Sequence, residues 1–95
     1  MLIETPYKVN DIVTLKILGG DEVIGRLTSI EGGNVTINKP HVVMMGQQGF
    51  GLVPYIMTAG PDVKVEFKPE HVFSVVKTYE GVAKEYIKQT SGIMV

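Results

Sequence analysis

The chain has 95 residues, enough for one small domain with a modest hydrophobic core. Hydrophobic residues make up 44% of it and charged residues 20%, a balance typical of a globular protein rather than a disordered one. The formal net charge of -1 argues against a strongly basic nucleic-acid binder but leaves a local basic patch open. Because the chain has no cysteine, disulfides and thiolate metal sites are excluded.

The first residues, MLIETPYKVND, lack the basic start and the long apolar run of a signal peptide. No uninterrupted apolar stretch reaches the length that a membrane-spanning helix needs. We therefore expect a cytoplasmic protein without a membrane partner.

The first part of the chain predicts three short strands joined by tight turns. In DIVTLKIL, apolar and polar residues alternate with the period of a half-buried strand. GGD then supplies a turn, EVIGRLTSI a second strand, EGGN another turn and NVTIN a third strand. Gly25 lies inside the second strand, where glycine packs poorly. We interpret Gly25 as a bend point; the alternative is a glycine tolerated near a sheet edge.

The middle of the chain predicts a long hairpin, in which HVVMM and LVPYIM flank the glycine-rich tip GQQGFG. Pro40 has no N–H to donate, so strand pairing should be interrupted there or the residue should lie at an edge. DVKVEFKP and EHVFSVVKT follow as two more strands with a sharp corner between them. In EGVAKEYIKQT, apolar residues recur at helical spacing, which predicts an amphipathic helix.

Short hairpin-connected strands in so small a chain favour a barrel, because a flat sheet would leave edges and expose one apolar face. A barrel of few strands needs strong local bending, which glycine or a bulge supplies. Gly25 fits that requirement.

The stretch VTLKILGGDEVIGRLTSIEGGNVTI resembles the first signature motif of the Sm and Sm-like proteins. The matching features are a glycine followed two residues later by leucine, an acidic residue, and an asparagine before an alternating triplet. VEFKPEHVFSV is similar in shape to the second motif, although a proline follows the basic residue where glycine is usual. The matching residues are Gly25, Leu27, Glu31 and Asn34 in the first motif and Lys68 in the second.

The resemblance implies a mostly β fold, namely a small, strongly bent, five-stranded Sm-like (SH3-like) barrel in a single domain of residues 1–95. Within it we expect first-motif strands (11–38), a long hairpin insertion between strands three and four (39–61), second-motif strands (62–78) and a short C-terminal helix (80–90).

The resemblance also implies a homo-oligomeric ring, a hexamer or heptamer, in which strand four of one copy pairs with strand five of the next. Unpaired strand edges favour such a contact, and a heterologous contact that closes by rotation gives a ring. The residues expected in this inter-subunit pairing are Val63, Val65, Phe67, Val72, Ser74 and Val76.

Sm-like rings hold single-stranded RNA, so the resemblance implies RNA binding by Gly33, Asn34 and Lys68. Asn34 would bond a base edge; the alternative is a turn asparagine chosen for left-handed backbone geometry. Lys68 would contact the RNA from below; the alternative is a solvated lysine at a strand end. The family's stacking position falls on Gly32 or Gly33, which offer no ring.

No residue pattern points to catalysis, and the chain is predicted not to be an enzyme. Ser74 and Ser91 lack a nucleophile context, and His41 and His71 lack metal-ligand spacing. GQQGFG lacks the lysine and the strand-to-helix context of a phosphate loop. We therefore predict no cofactor and no metal.

Two functions remain open on the sequence. The first is a ring that holds single-stranded RNA. The alternative is an Sm-like fold that serves as a protein-interaction or structural module, with the hairpin of residues 41–57 as its contact surface for a protein partner. The spacing of the first motif favours RNA, whereas the near-neutral charge and the missing stacking group favour the module.

Overall fold

The computed structural model describes residues 7–60 and 62–91. They form a mostly β domain with one C-terminal helix, which confirms this part of the prediction. The elements are β1 (Ile12–Ile17), β2 (Glu22–Glu31), β3 (Asn34–Gly46), β4 (Gly49–Pro54), β5 (Lys64–Phe67), β6 (Val72–Lys77) and α1 (Glu80–Thr90). A single 3-10 turn, Pro69–His71, joins β5 to β6.

The strands form one antiparallel sheet in the order β4-β3-β2-β1-β6, and β5 pairs with β3 outside this path. β3 is long enough to hold two partners on the same edge. Residues 35–38 pair with β5, and residues 41–46 pair with β4. The two arms of the predicted hairpin therefore pair, but β3 runs through residue 39 without ending. The first arm is therefore a continuation of β3.

The sheet is not closed into the predicted five-stranded barrel. β6 returns to pair with β1, and β5 pairs with β3, so closure would need β5 and β6 to pair with each other. Within residues 7–60 and 62–91 they do not, because a 3-10 turn that begins with Pro69 separates them and redirects the chain. The sheet is open between β5 and β6, and both strands keep an unpaired edge.

A β-bulge lies at Gly25, in the interior of the sheet. The β2–β3 register shifts between Ile24 and Arg26, so Lys39 and Pro40 together lie opposite Gly25. Lys39 has a positive φ of 54° at this bulge. β2 is paired on both edges, which rules out a glycine tolerated near a sheet edge. Gly25 therefore lies at an irregularity of the β2–β3 pairing, and Pro40 interrupts the pairing as expected.

Close packing explains why this residue is glycine. A Cβ at Gly25 would overlap the side chain of Ile37 and would lie 3.0 Å from the carbonyl oxygen of Asn38. Only a residue without a side chain lets β3 lie so close to β2 at this point.

The predicted EGGN turn forms a tight connection between β2 and β3. Glu31 and Asn34 are paired, so the loop contains only Gly32 and Gly33, with φ values of 61° and 87°. Two positive φ angles in a two-residue hairpin loop are typical of a type I′ turn. The glycines take the left-handed conformations, and Asn34 begins β3.

Apolar side chains are buried in two clusters. The first, which we call the sheet cluster, lies on one face of the β-sheet and contains Val13, Leu15, Ile17, Val23, Leu27, Val35, Ile37 and Phe67. The second, which we call the helix cluster, contains Ile12, Ile24, Leu52 and Tyr86. Because a helix of 11 residues is marginal alone, its packing in the helix cluster holds α1 on the sheet.

Candidate functional site

The pairing of β3 with β5 brings two of the predicted site residues together. Val35 lies opposite Phe67, so Asn34 and Lys68, the next residues along each strand, lie at the same end of this ladder. The two sequence motifs are therefore adjacent in the fold.

A carboxylate lies between these two residues. The Nδ2 atom of Asn34 donates a hydrogen bond of 3.2 Å to Oε2 of Glu66. The Nζ atom of Lys68 lies 3.6 Å from Oε1 of the same carboxylate. Because a carboxylate can only accept, this bond fixes the orientation of the Asn34 amide. Glu66 therefore accepts a hydrogen bond at Oε2 and has an ammonium group near Oε1.

Gly33 completes the group of predicted RNA-binding residues. A Cβ at Gly33 would lie 3.2 Å from the Cγ atom of Pro69, which shows how closely the β2–β3 turn approaches the start of the 3-10 turn. We call these residues the Asn34 cluster; its members are Gly33, Asn34, Glu66, Lys68 and Pro69.

The Asn34 cluster is open to solvent. The side chains of Lys68 and Glu66 are 56% and 51% exposed, so their ion pair contributes only about 0–1 kcal/mol. A ligand could therefore displace or share these groups at little cost. The left-handed alternative for Asn34 is wrong, because among the residues described only Asn10 and Lys39 have a positive φ without being glycine.

Sequence reasoning missed Glu66, although a signal for it was present. In DVKVEFKP the alternation of apolar and charged residues puts Glu66 and Lys68 on the same face of the strand. What the pattern did not show is that Asn34 of β3 would lie beside them.

A cleft of 280 Å³ lies next to the Asn34 cluster and shares Glu66 and Lys68 with it. Three of its other residues carry rings, namely Tyr55, Phe67 and His71. Tyr55 and Phe67 pack on each other with their ring centroids 5.4 Å apart, whereas His71 is exposed. The exposed imidazole of His71 is a ring that could stack on a base, whereas the family's stacking position falls on a glycine.

The unpaired edge of β5 exposes the backbone groups of alternate residues. The carbonyl oxygen of Val63 accepts a bond of 2.8 Å from the backbone N–H of Lys39. Because antiparallel hydrogen bonding alternates, Val65 and Phe67 also direct their backbone groups to β3. The outward groups of β5 belong to Lys64 and Glu66.

β6 follows the same rule on its own side. The backbone N–H of Thr78 donates a bond of 3.0 Å to the carbonyl oxygen of Ile12, so Ser74 and Val76 direct their backbone groups to β1. Of the residues expected to pair between subunits, five direct their backbone groups into their own sheet: Val63, Val65, Phe67, Ser74 and Val76. The outward groups in the second half of β6 belong to Val75 and Lys77.

The solvent face of β6 is apolar as well as unpaired at its edge. Phe73 is 65% exposed and Val76 52% exposed, whereas Val72 packs on the sheet cluster. A strand with an unpaired edge and exposed apolar side chains is a surface suited to contact with another chain.

The remaining histidine, His41, has a structural position. Its Nδ1 atom lies 2.9 Å from the carbonyl oxygen of Lys39, and its ring packs edge-on against Tyr86. Within residues 7–60 and 62–91, no group of three or more histidine and acidic side chains is placed to hold a metal ion.

α1, the one helix longer than a single turn in the described part of the chain, is too short and too polar to cross a membrane. No protein-family model matches the chain, and no curated protein matches it significantly.

Proposed function

We propose that this chain is a cytoplasmic Sm-like protein that assembles into a ring and holds single-stranded RNA without catalysis. The observation that carries the proposal is the Asn34 cluster. Gly33, Asn34 and Lys68 come from separate motifs, yet they lie together, with Gly33 and Lys68 exposed and Asn34 half-buried, and they supply both a hydrogen-bonding amide and a positive charge.

The strand order supports the Sm-like fold. β6, β1, β2, β3 and β5 follow one another in the order of a five-stranded barrel, with a bulge at Gly25 and one gap between β5 and β6. In the proposed ring of six or seven copies, the edge of β5 in one copy pairs with the edge of β6 in the next. Such pairing would satisfy the outward backbone groups of both strands.

The low net charge fits a site that reads bases more than phosphates. Each copy brings one Lys68 to the Asn34 cluster, and Glu66 offsets its charge. A ring repeats the site around one RNA strand, so weak contacts in each copy add through multivalency.

Binding of short fluorescent RNA at two salt concentrations tests the proposal. The probes are a mixed-sequence strand with all four bases, a uridine-rich strand and an adenosine-rich strand. Loss of one hydrogen bond in Asn34→Ala should weaken binding about tenfold, or about 1.4 kcal/mol. Lys68→Gln should also weaken binding, because it removes the positive charge of the cluster.

Lys84→Gln is the matched control, because it removes the same charge from an exposed position on α1. Its affinity should equal that of the wild type. If the folded wild type binds none of the three RNA probes saturably at low salt, the RNA proposal is wrong.

That negative result would favour a second candidate, a protein-interaction module. The observation behind it is the end of the β3–β4 hairpin, where Met44, Met45, Phe50 and Val53 are 53%, 79%, 40% and 39% exposed. Flexible methionine side chains adapt well to a partner surface.

A further inference from the structure

We infer that the Asn34 cluster recognises guanine among the bases of a bound single strand, with Glu66 as the residue that selects it. This inference rests on the proposed RNA binding and names the base that the site reads.

The polar groups of the cluster form a four-part hydrogen-bonding array. Lys68 Nζ is a donor beside Oε1 of Glu66, and Asn34 Nδ2 is a donor beside Oε2. The order across the site is donor, acceptor, acceptor, donor. Asn34 is hydrogen-bonded to one carboxylate oxygen, and the Lys68 ammonium group lies near the other, so each oxygen has its own neighbouring donor.

Guanine presents the complementary order along one edge. Its O6 accepts, N1–H and the N2 amino group donate, and N3 accepts. The two adjacent donors of guanine match the two oxygens of a carboxylate. Lys68 would then lie beside O6 and Asn34 beside N3. Bases of single-stranded RNA are read on such exposed edges when they are splayed out of the stack.

The other bases fit this array less well. Uracil offers one N–H between two carbonyl oxygens, so its second oxygen would face a Glu66 oxygen. Adenine and cytosine present a ring nitrogen with a lone pair where guanine has N1–H. Each of these arrangements puts acceptor against acceptor at Glu66, which is unfavourable.

The negative charge of Glu66 also disfavours phosphate at this position. A phosphate oxygen that approached Lys68 would come near the Glu66 carboxylate, which lies 3.6 Å from Nζ. The pair therefore directs Lys68 toward a neutral carbonyl group and away from the backbone of the strand.

The test uses adenosine-rich octamers that differ only in one central base, which is guanine, hypoxanthine, uracil or cytosine. We expect the guanine strand to bind the wild type about tenfold or more tightly than the uracil and cytosine strands. The hypoxanthine strand lacks only the N2 amino group, so its affinity should fall between them.

Two variants separate the role of Glu66 from a general effect of charge. Glu66→Gln should abolish the guanine preference and leave the affinities for the four strands within about twofold of one another. Glu70→Gln removes the same charge from an exposed position in the neighbouring 3-10 turn and should keep the preference. Circular dichroism checks that both variants are folded.

The outcomes distinguish this inference from the proposed function. If the wild type binds the four octamers equally, or if Glu66→Gln keeps the guanine preference, the inference is wrong while RNA binding stands. If another base is preferred, the inference is also wrong. If the wild type binds no RNA, both the proposed function and the inference are overturned.

Discussion

Gly25 and Tyr86 are two residues that shape the bulge between β2 and β3. Gly25 lets β3 lie close to β2, because a Cβ at this position would overlap the Ile37 side chain. Tyr86 is 1% exposed, and its single hydroxyl proton is shared between the carbonyl oxygens of Lys39 and Asn38, at 2.8 and 3.0 Å. Both residues therefore lie at the bulge. Gly25 is on β2, opposite the irregular part of β3, and the Tyr86 hydroxyl bonds to that part of β3 from α1.

Replacement of Gly25 by alanine should destabilise the fold. The added methyl group overlaps Ile37 and crowds the Asn38 carbonyl, and such overpacking costs about 1–3 kcal/mol. Urea denaturation measures the free energy of unfolding. Gly51→Ala is the control, since a Cβ at Gly51 meets nothing within 4 Å. Equal stability of the two variants would contradict the close-packing explanation.

Because the Tyr86 hydroxyl is buried, we expect the folded protein to lose stability at high pH. Burial raises the pKa of its hydroxyl from 10.0 to about 12. The folded state holds this proton more tightly than the unfolded state does. The stabilisation is therefore complete below pH 10 and is lost as the pH rises from 10 to 12. Two units of pKa correspond to roughly 3 kcal/mol.

The measurement compares the wild type with Tyr86→Phe by urea denaturation from pH 8 to pH 12. Loss of the hydrogen bond should make the variant about 1 kcal/mol less stable at pH 8, and the difference should shrink or reverse above pH 10. Tyr79→Phe is the control, because Tyr79 is 80% exposed. If the free energies of unfolding of the wild type and of Tyr86→Phe change in parallel from pH 8 to pH 12, the raised pKa of Tyr86 is wrong.

Among the elements, α1 and β4 depend on each other. Leu52 of β4 packs with Tyr86 of α1 in the helix cluster. Two further bonds tie the helix down, because Gln89 Nε2 donates to the carbonyl oxygen of Leu52 and Lys39 Nζ to that of Thr90. The hairpin and the helix should therefore lose their order together.

A pair of neighbouring substitutions on β4 tests this coupling. Leu52→Ala should cost about 2–4 kcal/mol, since Leu52 is only 6% exposed and its removal leaves a cavity under α1. Val53 lies on the opposite face of β4 and is 39% exposed, so Val53→Ala should cost under about 1 kcal/mol. Hydrogen exchange should show faster exchange in α1 for Leu52→Ala only. Unchanged protection of α1 would refute the coupling.

At the scale of the whole molecule, the edges of β5 and β6 that face away from the sheet are the features that favour assembly. Among residues 7–60 and 62–91, the outward backbone groups of β5 and β6 have no strand partner, and β6 adds exposed apolar side chains. Assembly of several copies would cover both features at once.

Light scattering should therefore find a species several times the 10.4 kDa monomer. Lys77→Pro should dissociate it, because the N–H at residue 77 faces outward and proline removes that donor without breaking a bond to β1. Lys77→Gln keeps the N–H and should assemble like the wild type. A wild type that is monomeric at micromolar concentration would exclude the ring.

Much of the local structure could be predicted from the sequence. The alternation in DIVTLKIL gave β1, the glycines gave the β2–β3 turn, and the helical spacing of Val82 and Tyr86 gave α1. These features depend on residues close in the chain, whose φ preferences and apolar periods can be read directly. Asn34 and Lys68 were predicted as site residues only because their sequence stretches resemble the two Sm-like signature motifs.

The sequence by itself determined the strands, the turn and the helix, because each follows from neighbouring residues. Only the tertiary structure decided that the sheet stays open between β5 and β6, and that Glu66 lies between Asn34 and Lys68. Both depend on which distant strands pair and in what register. The alternation in DVKVEFKP puts Glu66 on the polar face of its strand, but no local pattern shows that Asn34 of a distant strand lies beside it.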